Sequence, residues 1–289
     1  MSRLGVSIAA LTLSLLAMTG QAHAWAEDKD VAKLTSFGGM CANCDLAGRK
    51  LMNAKFTGAN FAKAVLIGAD LRGAMFYGSD FGWADLSRAD LRGAEMRGAN
   101  FTRANFTDAR MSGIESSRAN FTQATLVRVD LSSAELHAAT MVGANLQKAR
   151  FANAELIAAD LSGANARDAD FSNADINHAN FQGARFDGAR FHNADMTGSN
   201  LRGGIFNSAD FRNADLTMVN LSGADLSSAR GLEQEQLDEA CGDGGTRLPS
   251  GLSVRPCNGL RSSQHFMLLR AVPKPPAPPA PPKAPKGPK

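Results

Sequence analysis

The residues of this chain whose types lend themselves to chemistry are four cysteines, five histidines and a long series of acids. Cys41 and Cys44 form a Cys-x-x-Cys pair, a spacing used in thioredoxin-like redox motifs and as half of a zinc site. The redox reading needs a βαβ context and the metal reading needs a second half, and "CANCDL" has neither beside it. Cys241 and Cys257 lie far downstream. The histidines are His23, His137, His178, His192 and His265. None has a serine or cysteine at a useful spacing, and no metal-binding histidine motif is present. The acids resemble a supply of general acids and bases, but they are periodic, as at Asp70, Asp90, Asp160, Asp175 and Asp215. Periodic acids point to local hydrogen bonding and solvation of a repeated surface.

What positions them is a five-residue rhythm. In "ADLSRADLRGAEMRGANFTRANF", from Ala84 to Phe106, the large apolar residues are Leu86, Leu91, Met96, Phe101 and Phe106. Five residues of α-helix advance about 500°, a net step of about 140°, which smears an apolar series around the helix. A straight strand has period two, so an odd spacing sends successive residues to opposite faces. The chain must therefore turn once in every five residues. Between Leu46 and Leu226 the register has 37 such positions, of which 16 are Leu, 14 Phe, four Met and one Ile. Two places before each large residue, 29 of 37 positions are Ala, and the residue between is Asp or Asn in 22 cases. Ala and Leu or Phe, two apart in extended chain, face one side, and the polar residue faces the other. Two places after the large residue stand 15 Gly and five Asn, types that tolerate the positive φ of a type II turn. Each unit is then a very short strand and a corner. The predicted core includes Leu86, Leu91, Phe101, Phe106, Phe121, Leu131, Phe171, Phe181, Phe191 and Phe211.

This Ala-(Asp/Asn)-(Leu/Phe)-x-x unit resembles the motif of the pentapeptide-repeat family. The resemblance implies an all-β fold, a right-handed β-helix of square section with four units per coil. At about 4.8 Å between stacked strands, roughly nine coils make a rod about 43 Å long. One unit exchanges its residues: Ile114 stands where Ala belongs and Ser116 where Leu or Phe belongs, which roughly conserves core volume. At Ala164 and Ala166 both inward positions are small, so either Phe186 leans in or a small void remains.

The organisation expected is a signal peptide over 1–26, an N-terminal segment and cap over 27–45, the β-helix over 46–230, a C-terminal cap over 231–271, and a Pro/Lys-rich tail over 272–289. Arg3, the apolar run from Leu4 to Met18 and the small-x-small sites in "QAHAWA" carry the secretory signature, with cleavage after Ala24 or Ala26. The run is short of the ~20 residues a membrane span needs. Export permits disulfides. With the two pairs at opposite ends of the rod, bonding reach leaves Cys41 with Cys44 and Cys241 with Cys257. The segment Glu233–Cys241 is expected to contain a short helix that covers the open end, with Leu232, Leu237 and Ala240 on one side and Gly242 as its stop. "VPKPPAPPAPPKAPKGPK" holds nine of the chain's 11 Pro and four Lys, and is expected as extended polyproline II. After Asp243 come eight Lys or Arg and no acid, a balance suited either to a solubilising spacer or to contact with anionic phospholipid, lipopolysaccharide or cell-wall polymer.

Together these features point to a non-enzymatic, exported scaffold or interaction rod of a bacterial cell envelope, periplasmic or secreted, without cofactor or metal. A narrow rod filled by Phe and Leu has no water-shielded cleft. The alternative implied by the resemblance is a nucleic-acid mimic of the kind that protects DNA gyrase. From Asp45 to Arg230 there are 20 acids and 20 Lys plus Arg, a neutral balance that disfavours both mimicry and nucleic-acid binding. Met75, Tyr77 and Trp83 fall in outward slots expected near one corner of the early coils and form the candidate contact site.

Overall fold

The computed structural model describes residues 39–257. The signal-peptide and tail expectations fall on residues outside this range. The chain divides into a unit ending at Pro256 and a second beginning at Cys257, and the fold below is that of the first.

The five-residue rhythm becomes a coil because every turn of the chain brings the fourth following unit alongside. Parallel bridges join residues 20 apart, from Met40 with Asn60 through to Asp210 with Arg230. Twenty residues are four units, so the coil has four sides. One unit shows the bonding. Leu86 N donates to Asn105 O (2.7 Å) and Arg88 N to Thr107 O (2.9 Å) in the coil above. Asp85 N donates to Ala64 O below (2.9 Å), and Ala89 N closes the corner on Leu86 O (3.1 Å). Each backbone polar group thus finds a partner without a strand longer than a few residues.

The corners take a positive φ at the second residue after the large one, from Asn43 to Gly223. Among the described residues, 22 non-glycine positions adopt it, with φ from 52° to 62°. For an L-residue this region costs about 1–2 kcal/mol, which explains the Gly and Asn enrichment there. Ala138 sits at a corner with φ 52° and neither advantage. Ala138→Gly is expected to raise stability by about 0.5–1 kcal/mol, the strain relieved less the entropy glycine loses. Urea titration measures this, and an unchanged or lower midpoint would show that the corner is not limited by backbone strain.

Inside, the large residues stack in columns. Phe61, Phe81, Phe101 and Phe121 lie face to face at centroid distances of 4.7–5.1 Å, as do Phe151, Phe171, Phe191 and Phe211 at 4.7–5.3 Å. Rings on adjacent sides meet edge-on, for example Phe56 against Phe61 at 5.0 Å. Leu86, Leu91, Phe106, Leu131 and Phe181 are buried in the same core. The exchanged pair Ile114 and Ser116 is fully buried, and the Ser116 hydroxyl has no hydrogen-bond partner. Ser79 and Ser199, at inward Ala positions, donate instead to Phe56 O and Ile176 O of the coil below. Above the small Ala166, Phe186 packs edge-on against Phe171 (5.8 Å).

The C-terminal helix falls within the segment expected to contain it. Helix α1 is one turn, Gln234–Leu237, opened by a capping box in which Gln236 Oε1 accepts from Glu233 N (2.8 Å). Cys241, at the end of that segment, and Gly242, expected as the helix stop, form strand β1, Cys241–Gly242. The reason is the open ladder of the last coil: Leu221 N donates to Cys241 O (2.7 Å) and Cys241 N to Val219 O (2.9 Å). A continuing helix leaves those groups unpaired. Strand β2, Arg255–Pro256, pairs with β1 in parallel. Helix α1 covers the neighbouring side: Gln236 Nε2 donates to Phe211 O (2.9 Å) and Ala214 O (2.8 Å), and Leu237 is buried. Ala240 is also buried and Leu232 partly so.

Candidate functional site

Because bridged residues are 20 apart, the outward slots stack into four columns, one per side, and each column has its own chemistry. The first is an amide column of Asn60, Asp80, Asn100, Asn120, Thr140, Asp160, Asn180, Asn200 and Asn220. Here Asn100 Nδ2 donates to Asp80 Oδ1 (2.8 Å) and Asn200 Nδ2 to Asn180 Oδ1 (3.1 Å). The third side alternates in sign from Asp90 upward: Asp90, Arg110, Asp130, Arg150, Asp170, Arg190, Asp210, Arg230. Arg190 reaches Asp170 (3.5 Å), and Arg212, at the adjoining corner, grips Asp210 through its guanidinium (2.6 Å). That hydrogen-bonded guanidinium holds the Asp210 carboxyl below the usual range, although burial opposes it.

The fourth side is acidic throughout its length above Met75. Glu95, Glu115, Glu135, Glu155, Asp175, Asp195 and Asp215 occupy consecutive rungs of one column. Arg97 pairs with Glu115, and His137 Nε2 lies 3.0 Å from Glu155. Among the described residues no ion pair involves Glu95 or Glu135. Asp175, Asp195 and Asp215 each accept a backbone N–H two residues on, from Asn177, Thr197 and Thr217. Burial pushes the Asp195 carboxyl up, but donors from Thr197 and Asn177, with the nearby His178, outweigh it and hold the group below the usual range. In water, unit charges about 4.8 Å apart repel by ~0.9 kcal/mol before salt screening. The third side shows that the same slot accepts arginine, so the fold itself does not require this row of like charges.

The expected contact residues do not share a corner. Met75 lies in the acidic column, and Tyr77 is at the corner that follows it. Trp83 is at the next corner, across the amide side, because one complete side from Ser79 to Phe81 intervenes. Trp83 is 57% exposed, and the Arg103 guanidinium of the coil above lies 4.7 Å from its ring centroid. Arg103 Nε also donates to Gln123 Oε1 (2.7 Å), which fixes the cation over the indole.

Cys41 and Cys44 are bonded to each other, with Cα atoms 5.2 Å apart, and among the described residues no cysteine is free. Among the described residues no three metal-binding side chains cluster. His192 Nδ1 lies 3.1 Å from Arg212 O, and the His178 ring lies over the corner at Gly198, where a Cβ would meet it at 2.5 Å. These histidines serve corners rather than a common site.

The sequence matches the model of the family described as "Pentapeptide repeats" in eight copies, over residues 41–76, 50–88, 84–114, 117–153, 154–193 and 194–230. The chain belongs to the pentapeptide-repeat family. Pentapeptide-repeat proteins form right-handed quadrilateral β-helices and are generally non-enzymatic structural or interaction proteins. Among solved pentapeptide-repeat structures, the chain is similar to HetL, involved in heterocyst differentiation regulation in the cyanobacterium Nostoc sp. strain PCC 7120. Identity is 27%, coverage 75% of this chain and 95% of HetL, and the TM-score 0.49. It is similar also to full-length QnrB1, a plasmid-mediated fluoroquinolone resistance protein, at 23% identity over 72% of this chain and 94% of that one, with TM-score 0.31. A thylakoid-lumen pentapeptide-repeat protein of Arabidopsis thaliana shares 28% identity over 41% of this chain and 69% of its own, with TM-score 0.27. The sequence matches no protein of curated function.

Proposed function

We propose that this protein is a non-enzymatic interaction rod of the bacterial cell envelope, of about nine coils, exported by its N-terminal segment and presenting its acidic side to a cationic partner surface. The observation that carries the reading is the row from Glu95 to Asp215, retained in a slot where the neighbouring side alternates acid with arginine. A cationic partner relieves the repulsion within that row, so binding energy is available on this side and not on its self-neutralised neighbour. The one-turn helix and the strand pair serve as the C-terminal cap. Export rests on the Arg3 to Ala26 signature, and the basic tail remains the proposed contact for anionic envelope polymer.

Two measurements test this. Fractionation with N-terminal sequencing is expected to recover a chain beginning at Trp25 or Glu27 outside the cytoplasm, and a full-length chain in the cytosol would overturn the export reading. A photo-crosslinking residue at Glu135 is expected to capture a protein that the same probe at Arg150 does not. Equal capture, or none from Glu135, would remove the acidic side from the function.

The acidic side also gives some support to nucleic-acid mimicry, since neutrality of the whole repeat region conceals it. The magnitudes disfavour that reading. Duplex DNA carries a charge per about 1.7 Å of axis, whereas the column offers one per about 4.8 Å.

A further inference from the structure

The acidic column and the C-terminal tail carry opposite charge at spacings that can be compared. The tail's lysines are Lys274, Lys283, Lys286 and Lys289, separated by nine, three and three residues. Polyproline II, expected for "VPKPPAPPAPPKAPKGPK", has three residues per turn and rises about 3.1 Å per residue. In that conformation, expected from the sequence alone, all four lysines would lie along one edge, the last three about 9.3 Å apart. Two rungs of the acidic column are about 9.6 Å apart. A lysine every third residue of such a tail would therefore match every second carboxylate, with a mismatch of only ~0.3 Å per step. The seven rungs span about 29 Å, and Lys283 to Lys289 cover about 19 Å of it.

We propose that the lysine edge of one copy's tail docks along the Glu95–Asp215 column of a second copy, each copy giving its tail and receiving the other's in a reciprocal dimer. The proposal rests on the reading of the acidic side as a contact surface and names its occupant. Charge complementarity carries it: no acid follows Asp243, and no arginine or lysine interrupts the column from Glu95 to Asp215. The matched spacing adds direction, because a row of exposed pairs gains only when several form together. The groups facing the docked lysines are the seven carboxylates, with Arg97, His137 and His178 beside them. Arg97 and His137 each engage one rung, which leaves Glu95, Glu135 and the three aspartates for the lysines. Reach is sufficient: 17 residues from Cys257 to Lys274 extend to at most roughly 56–61 Å. Exchange of identical elements about a two-fold axis closes the assembly at two copies.

The test uses the full chain in three forms and measures mass by sedimentation across a range of concentrations. The unaltered protein is expected to dimerise at low salt, with association weakening about tenfold or more as screening rises. A face variant, Glu95→Gln, Glu135→Gln and Asp175→Asn, and a tail variant, Lys283→Gln, Lys286→Gln and Lys289→Gln, are each expected to associate at least about tenfold more weakly at an unchanged melting temperature. Mixing the two variants is expected to give association stronger than that of either variant alone and weaker than that of the unaltered protein, since one of the two reciprocal contacts is intact in the mixed pair. Exchanging Pro285 and Lys286, which keeps the charge but moves one lysine off the edge, is expected to weaken the dimer. A monomeric unaltered protein, a mixture that associates no more than either variant alone, or full association after the exchange would overturn the proposal. Those outcomes leave intact a Glu135-specific crosslink to another protein, so failure here is distinguishable from failure of the interaction-rod reading.

Discussion

Leu131→Asp is expected to unfold the middle of the rod, while Asp130→Ala, one residue away, leaves it nearly intact. Leu131 is 1% exposed, and its backbone N–H is tied to Arg150 O at 2.7 Å. A carboxylate there has apolar neighbours on every side and no water, a cost of several kcal/mol whether the group stays charged or takes up a proton. Asp130 faces outward and accepts from the Ser132 N–H (3.2 Å) and hydroxyl (2.6 Å). Its removal forfeits an exposed local bond and its place between Arg110 and Arg150, an effect of about 0.5–1 kcal/mol. Thermal melts of the two variants separate these cases. Similar losses would mean that the inward and outward faces are assigned the wrong way round.

Phe171→Ala is the second large effect expected. The Phe171 ring is sandwiched between Phe151 (4.7 Å) and Phe191 (5.3 Å) and touches Phe181 and Phe186 edge-on. The layer beside it is already thin, because Ala166 stands where other units carry Leu or Phe. Truncation there removes a buried aromatic side chain that little else can replace, at about 3–5 kcal/mol. In a solenoid each coil contacts only its neighbours, so the damage stays local. Hydrogen exchange is expected to lose protection between residues 151 and 191 while amides near Phe101 and Phe121 keep theirs. A uniform loss would show that the rod unfolds as one block, and a change below about 1 kcal/mol would show that the column is not close-packed.

Much of the rod is local, and the local part is legible in five consecutive residues. Leu86 and Ala84 face inward because they are two apart in extended chain, and Arg88 takes a positive φ because the corner must turn there. The cap was less legible. A helical pattern from Glu233 extends to Cys241, but the unpaired edge of the last coil recruits Cys241 and Gly242 as strand, and ladder hydrogen bonds outweigh helix propensity. Trp83 was legible as outward, and its partner was not: Arg103 is 20 residues away, and no pattern of period five brings the two together.

The charges show where sequence reading ends. Summed along the chain, acids and bases cancel between Asp45 and Arg230, and that neutrality is a true property of the sequence. Charges interact through distance in space, however, and residues 20 apart lie about 4.8 Å apart only because hydrogen bonds stack one coil on the next. The sequence by itself determined the five-residue unit, the inward Leu and Phe, the corners and the outward polar slot, since each depends on neighbours along the chain. Only the tertiary structure decided that Glu95, Glu115, Glu135, Glu155, Asp175, Asp195 and Asp215 share one side while Asp and Arg alternate on the next, because the four-unit coil chooses which slots become neighbours.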